Sequence, residues 1–433
     1  MGRKNIYDPD FRYNILKPGV DWCTRRSYRS IKVAGLENIP TDGAVLLTPN
    51  HTNTLMDALV VLQTDKTPKV FGARADLFKQ KFIADFMTFA RILPMVRQRD
   101  GLRNVLKNHE SIETIVNTLE SGMTFCLYPE GRHRPAHSLL TLGKGAMRAA
   151  VAANDKFGKE KPVYIVPAGI EYGDYYRYRS TCLVSFGKPI NVTEFVSNLN
   201  VESEAQILDP LRKELQRRMS ELITYIPDDE NLAAKWALTK ILAVNFRSTD
   251  IQQRMQNNRK VIAEIEKVME SNPERMAELL EEAADFDKDR KKAGVSIFSF
   301  RSKKPLNRAI GKGLLALAGL PYYLYSLVAA LPMWVTATLL RSKIKDRAFG
   351  NTVSFGVKLG LGMIWYPIII ALAFVFAPWP IALVASLLAV PTYNYFYDYN
   401  EFMRRLFSDI RLIGRKDLRK KFKYIRKDFS KLK

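Results

Sequence analysis

Hydrophobic and polar positions divide the chain into three regimes. Between residues 31 and 195, short apolar runs alternate with stretches of helical periodicity. The runs 44–48, 69–72, 124–128, 163–167 and 182–186 are rich in Val, Leu, Ile, Phe and Tyr and close on Pro or Gly, which predicts strands. Residues 100–121, with Asp100 as N-cap, and 143–157 predict helices between them. Strand alternating with helix predicts an α/β fold with a substantially parallel sheet, whose chemistry gathers beyond the carboxyl ends of its strands.

The second regime, 200–290, is rich in Glu, Lys, Arg, Leu, Ala and Met, with apolar positions at helical spacing. This predicts an amphipathic pair or bundle that supports the first regime. The third begins near residue 301. Residues 313–340 are apolar and interrupted by Pro321 and Pro332, and 359–397 form a longer apolar run with Pro378-Trp379-Pro380 near its middle. A membrane crossing needs about 20 apolar residues. The longer run is enough to cross and return, and the shorter enough for a single span or a re-entrant segment. The expected organisation is thus a basic amphipathic N-terminal segment (1–30), an α/β domain (31–200), a helical region (201–300), a membrane-embedded region (301–400) and a basic tail (401–433). The N-terminal segment, with Phe11, Tyr13, Trp22 and Tyr28 among basic residues, suits either a membrane surface or the α/β domain as its resting place. Its first residues carry no apolar signal region, and Ile6 stands where a myristoylation site needs Ser or Thr.

Charge sharpens this picture. The 433 residues carry a formal net charge of +23, which calls for an anionic partner. The basic residues flank the apolar runs: Arg301, Lys303, Lys304, Arg308 and Lys312 before the first, Arg341 to Lys358 between the two, and a dense set from Arg415 to Lys427. Positive flanks belong on the cytoplasmic side, which places the α/β domain and the tail there and makes lipid headgroups, not nucleic acid, the expected anion. The three Cys show no paired spacing, so reduced thiols are expected, with Cys126 and Cys182 in the core.

Candidate chemistry lies at two strand ends. Pro49-Asn50-His51-Thr52-Asn53-Thr54-Leu55-Met56-Asp57 follows the apolar run 44–48 and contains one of only four His. An imidazole can deprotonate a hydroxyl near neutral pH, and a carboxylate on its other ring nitrogen fixes the tautomer. His51 and Asp57 fill these roles if the loop turns into a helix around Thr52–Thr54, whose backbone N–H groups would then face an oxyanion. Tyr128-Pro129-Glu130-Gly131-Arg132 follows the run 124–128 in the same way. Arg97, Arg99, Arg132, Arg134 and Lys144 are candidate phosphate ligands, the guanidinium group being suited to bidentate contact with phosphate oxygens. His133 and His137 have the spacing of a metal pair, but Pro135 and the flanking arginines argue against a cation; no metal and no cofactor is expected.

Four blocks in order resemble the glycerolipid acyltransferase superfamily: Asn50-His51 to Asp57; Ile92-Leu93-Pro94-Met95-Val96-Arg97; Tyr128-Pro129-Glu130-Gly131 with Gly143-Lys144-Gly145-Ala146; and Ile165-Val166-Pro167-Ala168-Gly169-Ile170. The resemblance covers about 31–195. The stretch from Val166 through Arg179 to Phe186-Gly187-Lys188-Pro189 looks most like the eukaryotic-type glycerol-3-phosphate and dihydroxyacetone-phosphate acyltransferases, which carry C-terminal hydrophobic segments. The resemblance implies His51, Asp57 and Glu130 as catalytic residues and Arg97, Arg99, Gly131, Arg132 and Lys144 around the acceptor phosphate. The implied reaction moves an acyl group from acyl-CoA or acyl carrier protein to lysophosphatidic acid or glycerol-3-phosphate. Two departures stand out: five residues separate His51 from Asp57, one more than the family's commonest spacing, and Arg132 replaces the usual Thr. On an ideal helix one residue swings a side chain by about 100°. A non-catalytic membrane scaffold of the same fold is the competing reading.

Overall fold

The computed structural model describes Ile6 and residues 10–96, 105–199, 203–246, 248–302 and 304–433, with the side chains of 105–108 outside that description. Arg97, Arg99, Asp100, Lys303, residues 1–5 and the expected boundary at 200/201 therefore lie outside the described residues. The chain forms two compact units: Met1–Tyr175 with Ser180–Tyr225, and Tyr176–Arg179 with Ile226–Lys433.

In the first unit, helix α1 (Phe11–Ser27) is capped by Asp10, whose carboxylate accepts from the Arg12 N–H at 2.9 Å. Eight strands follow: β1 (Ser30–Ala34), β2 (Ala44–Pro49), β3 (Lys69–Arg74), β4 (Ile92–Met95), β5 (Thr124–Cys126), β6 (Val163–Tyr172), β7 (Thr181–Phe186) and β8 (Ile190–Asn191). They are joined by α2 (Leu55–Leu62), α3 (Lys81–Phe89), α4 (Val105–Glu120) and α5 (Gly145–Phe157), and followed by α6 (Val192–Leu199) and α7 (Glu204–Ser220). The five expected strands are all present. β1, β4 and β8 are additional: β4 falls in a block noted for its motif, and β1 carries polar Ser30 and Lys32 that dilute its apolar signal.

One mixed sheet holds all eight strands in the order β1-β7-β6-β2-β5-β3-β4, with β8 pairing β6. From β6 to β4 every pairing is parallel, whereas β7 and β8 both run antiparallel to β6. The central strands are buried along their length, as parallel strands covered on both faces must be. α4, α5 and α7 close over the sheet with Leu119, Met147, Leu211 and Leu215 in a core that includes Leu46, Phe125 and Ile165. α1 joins the same unit through Arg25, which donates to the Gln63 side chain at 3.0 Å, and through Tyr13, edge-on to Phe89. Phe11, Ile15, Leu16 and Trp22 of α1 remain exposed.

The second unit is helical. α8 (Leu232–Ala243), α9 (Ile251–Ser271), α10 (Pro273–Lys292) and α16 (Lys416–Leu432) share a core that includes Leu238, Ile265, Leu279, Phe286, Phe422 and Phe429. The basic C-terminal stretch is thus a folded helix with its apolar stripe buried and Lys420, Lys421 and Lys423 outside. α11 (Pro305–Ala329) and α12 (Leu331–Lys343) meet at a 74° bend, and α11 lies along α15 (Thr392–Gly414). α13 (Gly350–Phe376), extended by a turn from Arg347, is long and apolar enough to cross a membrane. It gives way at Ala377-Pro378 to α14 (Trp379–Ala389), which packs beside it. Eleven residues rise only about 16 Å, about half the hydrocarbon core, so α14 is too short to cross alone. Residues Tyr176–Arg179 group with this unit through the Arg177–Glu401 and Arg179–Asp398 ion pairs, each 2.8 Å.

Gly169 sits in β6 where a Cβ would lie 2.5 Å from both the Cβ and the carbonyl oxygen of Leu222, the residue that follows α7 closely. Nothing but hydrogen fits while that contact persists. Gly169→Ala is expected to destabilise the first unit by about 1–3 kcal/mol through overpacking, read as a lower midpoint in thermal denaturation.

Candidate active site

Three adjacent parallel strands deliver the site. β2 leads to Asn50-His51, its neighbour β5 to Tyr128–Gly131, and its other neighbour β6 ends in Ile170–Tyr172. Regular pairing of β2 with β6 stops at Pro49 opposite Ala168. Asn50 then continues it with its side chain: its Oδ1 accepts from the Ile170 N–H at 2.6 Å and its Nδ2 donates to the Ile170 carbonyl at 3.2 Å. The amide imitates one more ladder residue and frees the backbone to turn away from the sheet.

That turn places His51 against Asp57. The ring Nδ1 is 2.8 Å from Asp57 Oδ2. The same oxygen accepts the backbone N–H groups of Thr52 and Asn53, both at 2.7 Å, and Oδ1 accepts the Tyr172 hydroxyl at 2.7 Å. The fully buried carboxylate therefore meets four donors, which compensates its removal from water. With Nδ1–H committed to Asp57, the other ring nitrogen, Nε2, is the one free to take a proton. The ring stacks on Tyr128 with centroids 4.4 Å apart, and His133 meets it edge-on at 5.6 Å.

Residues 52–54 are not helical. α2 starts at Leu55 after Thr54, whose φ of 48° and ψ of −128° are rare for a residue with a side chain. The additional residue between His51 and Asp57 is absorbed in this loop, so the carboxylate is not swung off its target. The expected oxyanion role of the N–H groups near Thr52 is corrected here: those of Thr52 and Asn53 are taken by Asp57.

Glu130 joins the two strand-end loops. Its Oε1 accepts the His51 backbone N–H at 2.8 Å and its Oε2 the Leu140 N–H at 2.9 Å, while the Arg134 N–H donates to the His51 carbonyl at 3.0 Å. The backbone of His51 is held at both its donor and its acceptor by the segment after β5. Gly131 makes the turn possible: its φ is 67°, and its N–H returns to the Tyr128 carbonyl at 3.1 Å. Burial pushes the Glu130 carboxyl up to about 7, against the pull of its two backbone donors and the His51 ring.

Of the sequence candidates, His51, Asp57, Glu130 and Gly131 converge. Arg132 is exposed on the same loop. Lys144 precedes α5 and pairs with Asp209 at 3.0 Å, both side chains partly exposed. His133 turns towards His51, while His137 meets the Tyr175 hydroxyl at 3.1 Å, so the two do not act as a pair. Arg97 and Arg99 lie outside the described residues. Asn50, Tyr128 and Tyr172 have roles that motif reading missed. Tyr172 carried no signal of its own, since the β2–β6 adjacency that brings it to Asp57 is a long-range fact.

A His51 ring 2.8 Å from a fully buried Asp57, beyond the carboxyl ends of a largely parallel sheet, is an arrangement able to activate a hydroxyl. Residues 30–171 match the model of the Acyltransferase family. A solved structure, the 1-acyl-sn-glycerophosphate (LPA) acyltransferase PlsC from Thermotoga maritima, is 21% identical, covering 48% of this chain and 78% of that one with a TM-score of 0.35. Comparison with curated proteins finds no match.

Two outcomes follow from the geometry. Asp57→Asn replaces an acceptor with an NH2 group facing donors, and is expected to reduce turnover by at least about a hundredfold, read as kcat of the folded variant. Burial raises the Glu130 carboxyl from its ordinary 4.5 to about 7 in the folded protein, so folding is disfavoured progressively as pH rises from 4.5 to 7. Glu130→Gln has no such titration. The thermal midpoint of the variant minus that of the wild type is expected to rise across this window and to level off above it.

Proposed function

We propose that this protein is a membrane-bound acyltransferase that moves a fatty acyl group from acyl-CoA or acyl carrier protein to a hydroxyl of lysophosphatidic acid or glycerol-3-phosphate. The observation that carries the reading is the 2.8 Å contact between His51 Nδ1 and a fully buried Asp57. In the reaction, His51 Nε2 takes the proton of the acceptor hydroxyl as its oxygen attacks the thioester carbonyl. Asp57 stabilises the imidazolium that forms. The tetrahedral intermediate collapses with loss of the thiolate, which receives the proton back from His51. The acceptor oxygen itself forms the new ester, so no protein nucleophile and no cofactor takes part.

Glu130 serves this chemistry by holding the His51 backbone. Arg132, exposed on the adjoining loop, is assigned to the acceptor phosphate, with Lys144, Arg97 and Arg99 as further candidates. The apolar α13 and the bent α11–α12 pair supply the membrane anchor, and the basic flanks put the acyltransferase domain on the cytoplasmic face among anionic headgroups. The scaffold reading rested on the lengthened His51–Asp57 spacing, and the 52–54 loop removes that motive.

The test is acyl transfer in membranes containing the wild type or His51→Ala. Labelled acyl-CoA and acyl carrier protein are each offered with glycerol-3-phosphate, dihydroxyacetone phosphate or lysophosphatidic acid. Activity with one acceptor that disappears in His51→Ala is expected; activity retained in the variant, or none with any pair from folded protein, overturns the proposal. Arg132→Ala is expected to raise KM for the phosphorylated acceptor by about tenfold with a smaller change in kcat.

A further inference from the structure

We propose that Tyr172 is a positioning residue of this site, whose hydroxyl pins the Asp57 carboxylate in the one orientation that serves His51. The inference rests on the catalytic reading of His51 and Asp57 and extends it to a residue outside the motif blocks.

Three observations carry it. First, the division of labour at Asp57 is complete: Oδ2 takes the His51 ring and two backbone N–H groups, and Tyr172 is the donor on Oδ1, at 2.7 Å. A carboxylate turns about its Cβ–Cγ bond unless both oxygens are held, and Tyr172 holds the second. Second, the phenol itself is fixed. Tyr172 is buried, its ring stacks on Tyr28 with centroids 5.8 Å apart, and Tyr175 meets it edge-on at 6.2 Å. Tyr175 is in turn tied to the Ala136 carbonyl at 3.2 Å. Third, its position follows from topology: β6 neighbours β2, and Asn50 extends their pairing to Ile170, which brings the strand end beside the His51 loop. Burial and the Asp57 charge keep the phenol protonated well above its ordinary range, so it remains a donor throughout the working pH range.

Removing this hydroxyl has two separable effects. The carboxylate loses its lock, which misorients the imidazole. It also retains more of its negative charge for His51, which favours the imidazolium and moves the histidine titration to higher pH. The other titratable neighbours of the cluster are Glu130, Tyr128, His133, Tyr28, Cys126 and Cys182, and of these only Cys182, whose thiol is hydrogen-bonded to the Tyr172 hydroxyl, loses a contact in the change. A residue that merely fills the core would produce neither effect.

The experiment uses the full-length protein in detergent micelles and the variant Tyr172→Phe, which retains both ring contacts. Turnover is expected to fall about tenfold with KM unchanged, and the acid limb of the rate profile to move to higher pH. An activity-independent readout accompanies it: the titration of the His51 imidazole, followed by 15N NMR of histidine-labelled protein and assigned with His51→Ala. An upward shift in Tyr172→Phe supports the proposal even if no acyl acceptor is found, which separates it from the reading of the reaction. A His51 titration and a rate profile that both superimpose on the wild type, in a variant of unchanged thermal midpoint, overturn it. In folded protein a double-variant comparison gives a second decision: in the Asp57→Asn background Tyr172→Phe must add no further loss of turnover, and an additive loss overturns the proposal.

Discussion

A single buried negative charge governs the site. The Asp57 carboxylate has no access to water, and a charge in that position is tolerated only if donors replace the hydration it lost. Four do so: one ring nitrogen, two backbone N–H groups and one phenol. Each also constrains something else. The two N–H groups draw residues 52 and 53 around the carboxylate, which forces Thr54 into its rare backbone conformation before α2 can begin. The ring nitrogen fixes the tautomer of His51. The solvation of one carboxylate and the aim of the His51 ring are thus the same set of bonds.

The sheet makes this possible by ending three neighbouring strands together. β2, β5 and β6 lie side by side and run in the same direction, so the loops that leave them share one edge. Asn50 and Glu130 use that proximity in different ways. Asn50 prolongs the ladder by one residue with its side chain, and Glu130 spans the gap between the His51 and Leu140 backbones. Glu130 is the less settled of the two in energetic terms, because burial favours its neutral form while both of its hydrogen bonds favour the charged one.

How much of this was legible depended on whether the signal was local. The apolar runs at 44–48, 69–72, 124–128, 163–167 and 182–186 appear as strands because a buried parallel strand needs an uninterrupted apolar segment. β1 lacks that signal, since Ser30 and Lys32 break its apolar pattern, and its place is fixed by parallel pairing with β7, a long-range fact. His51, Asp57 and Glu130 were readable because strand-end polar residues are conspicuous. Tyr172 was not, because a tyrosine at the end of an apolar strand reads as core, and its hydroxyl acquires meaning only through a neighbour more than a hundred residues away in sequence. The second unit was readable in composition but not in arrangement: the basic residues after 415 suggest a free tail, while Leu418, Phe422, Ile425 and Phe429 recur at helical spacing and lie in the bundle core.

The spacing between His51 and Asp57 shows what a motif of this kind encodes. Measured along an ideal helix, one added residue would carry the carboxylate about 100° away from the ring. The helix, however, is not the ruler. α2 begins at Leu55, and Asp57 stands in its first turn whatever the length of the loop before it. What must be conserved physically is a loop that leaves β2, presents two consecutive N–H groups to the carboxylate and returns the imidazole to its remaining lone pairs. Such a loop tolerates a change in length as long as one residue can accept an uncommon backbone angle, and Thr54 does so here at a φ of 48°. The strain falls on a residue that contributes no side-chain cap to the helix, so the adjustment leaves the four bonds to Asp57 undisturbed.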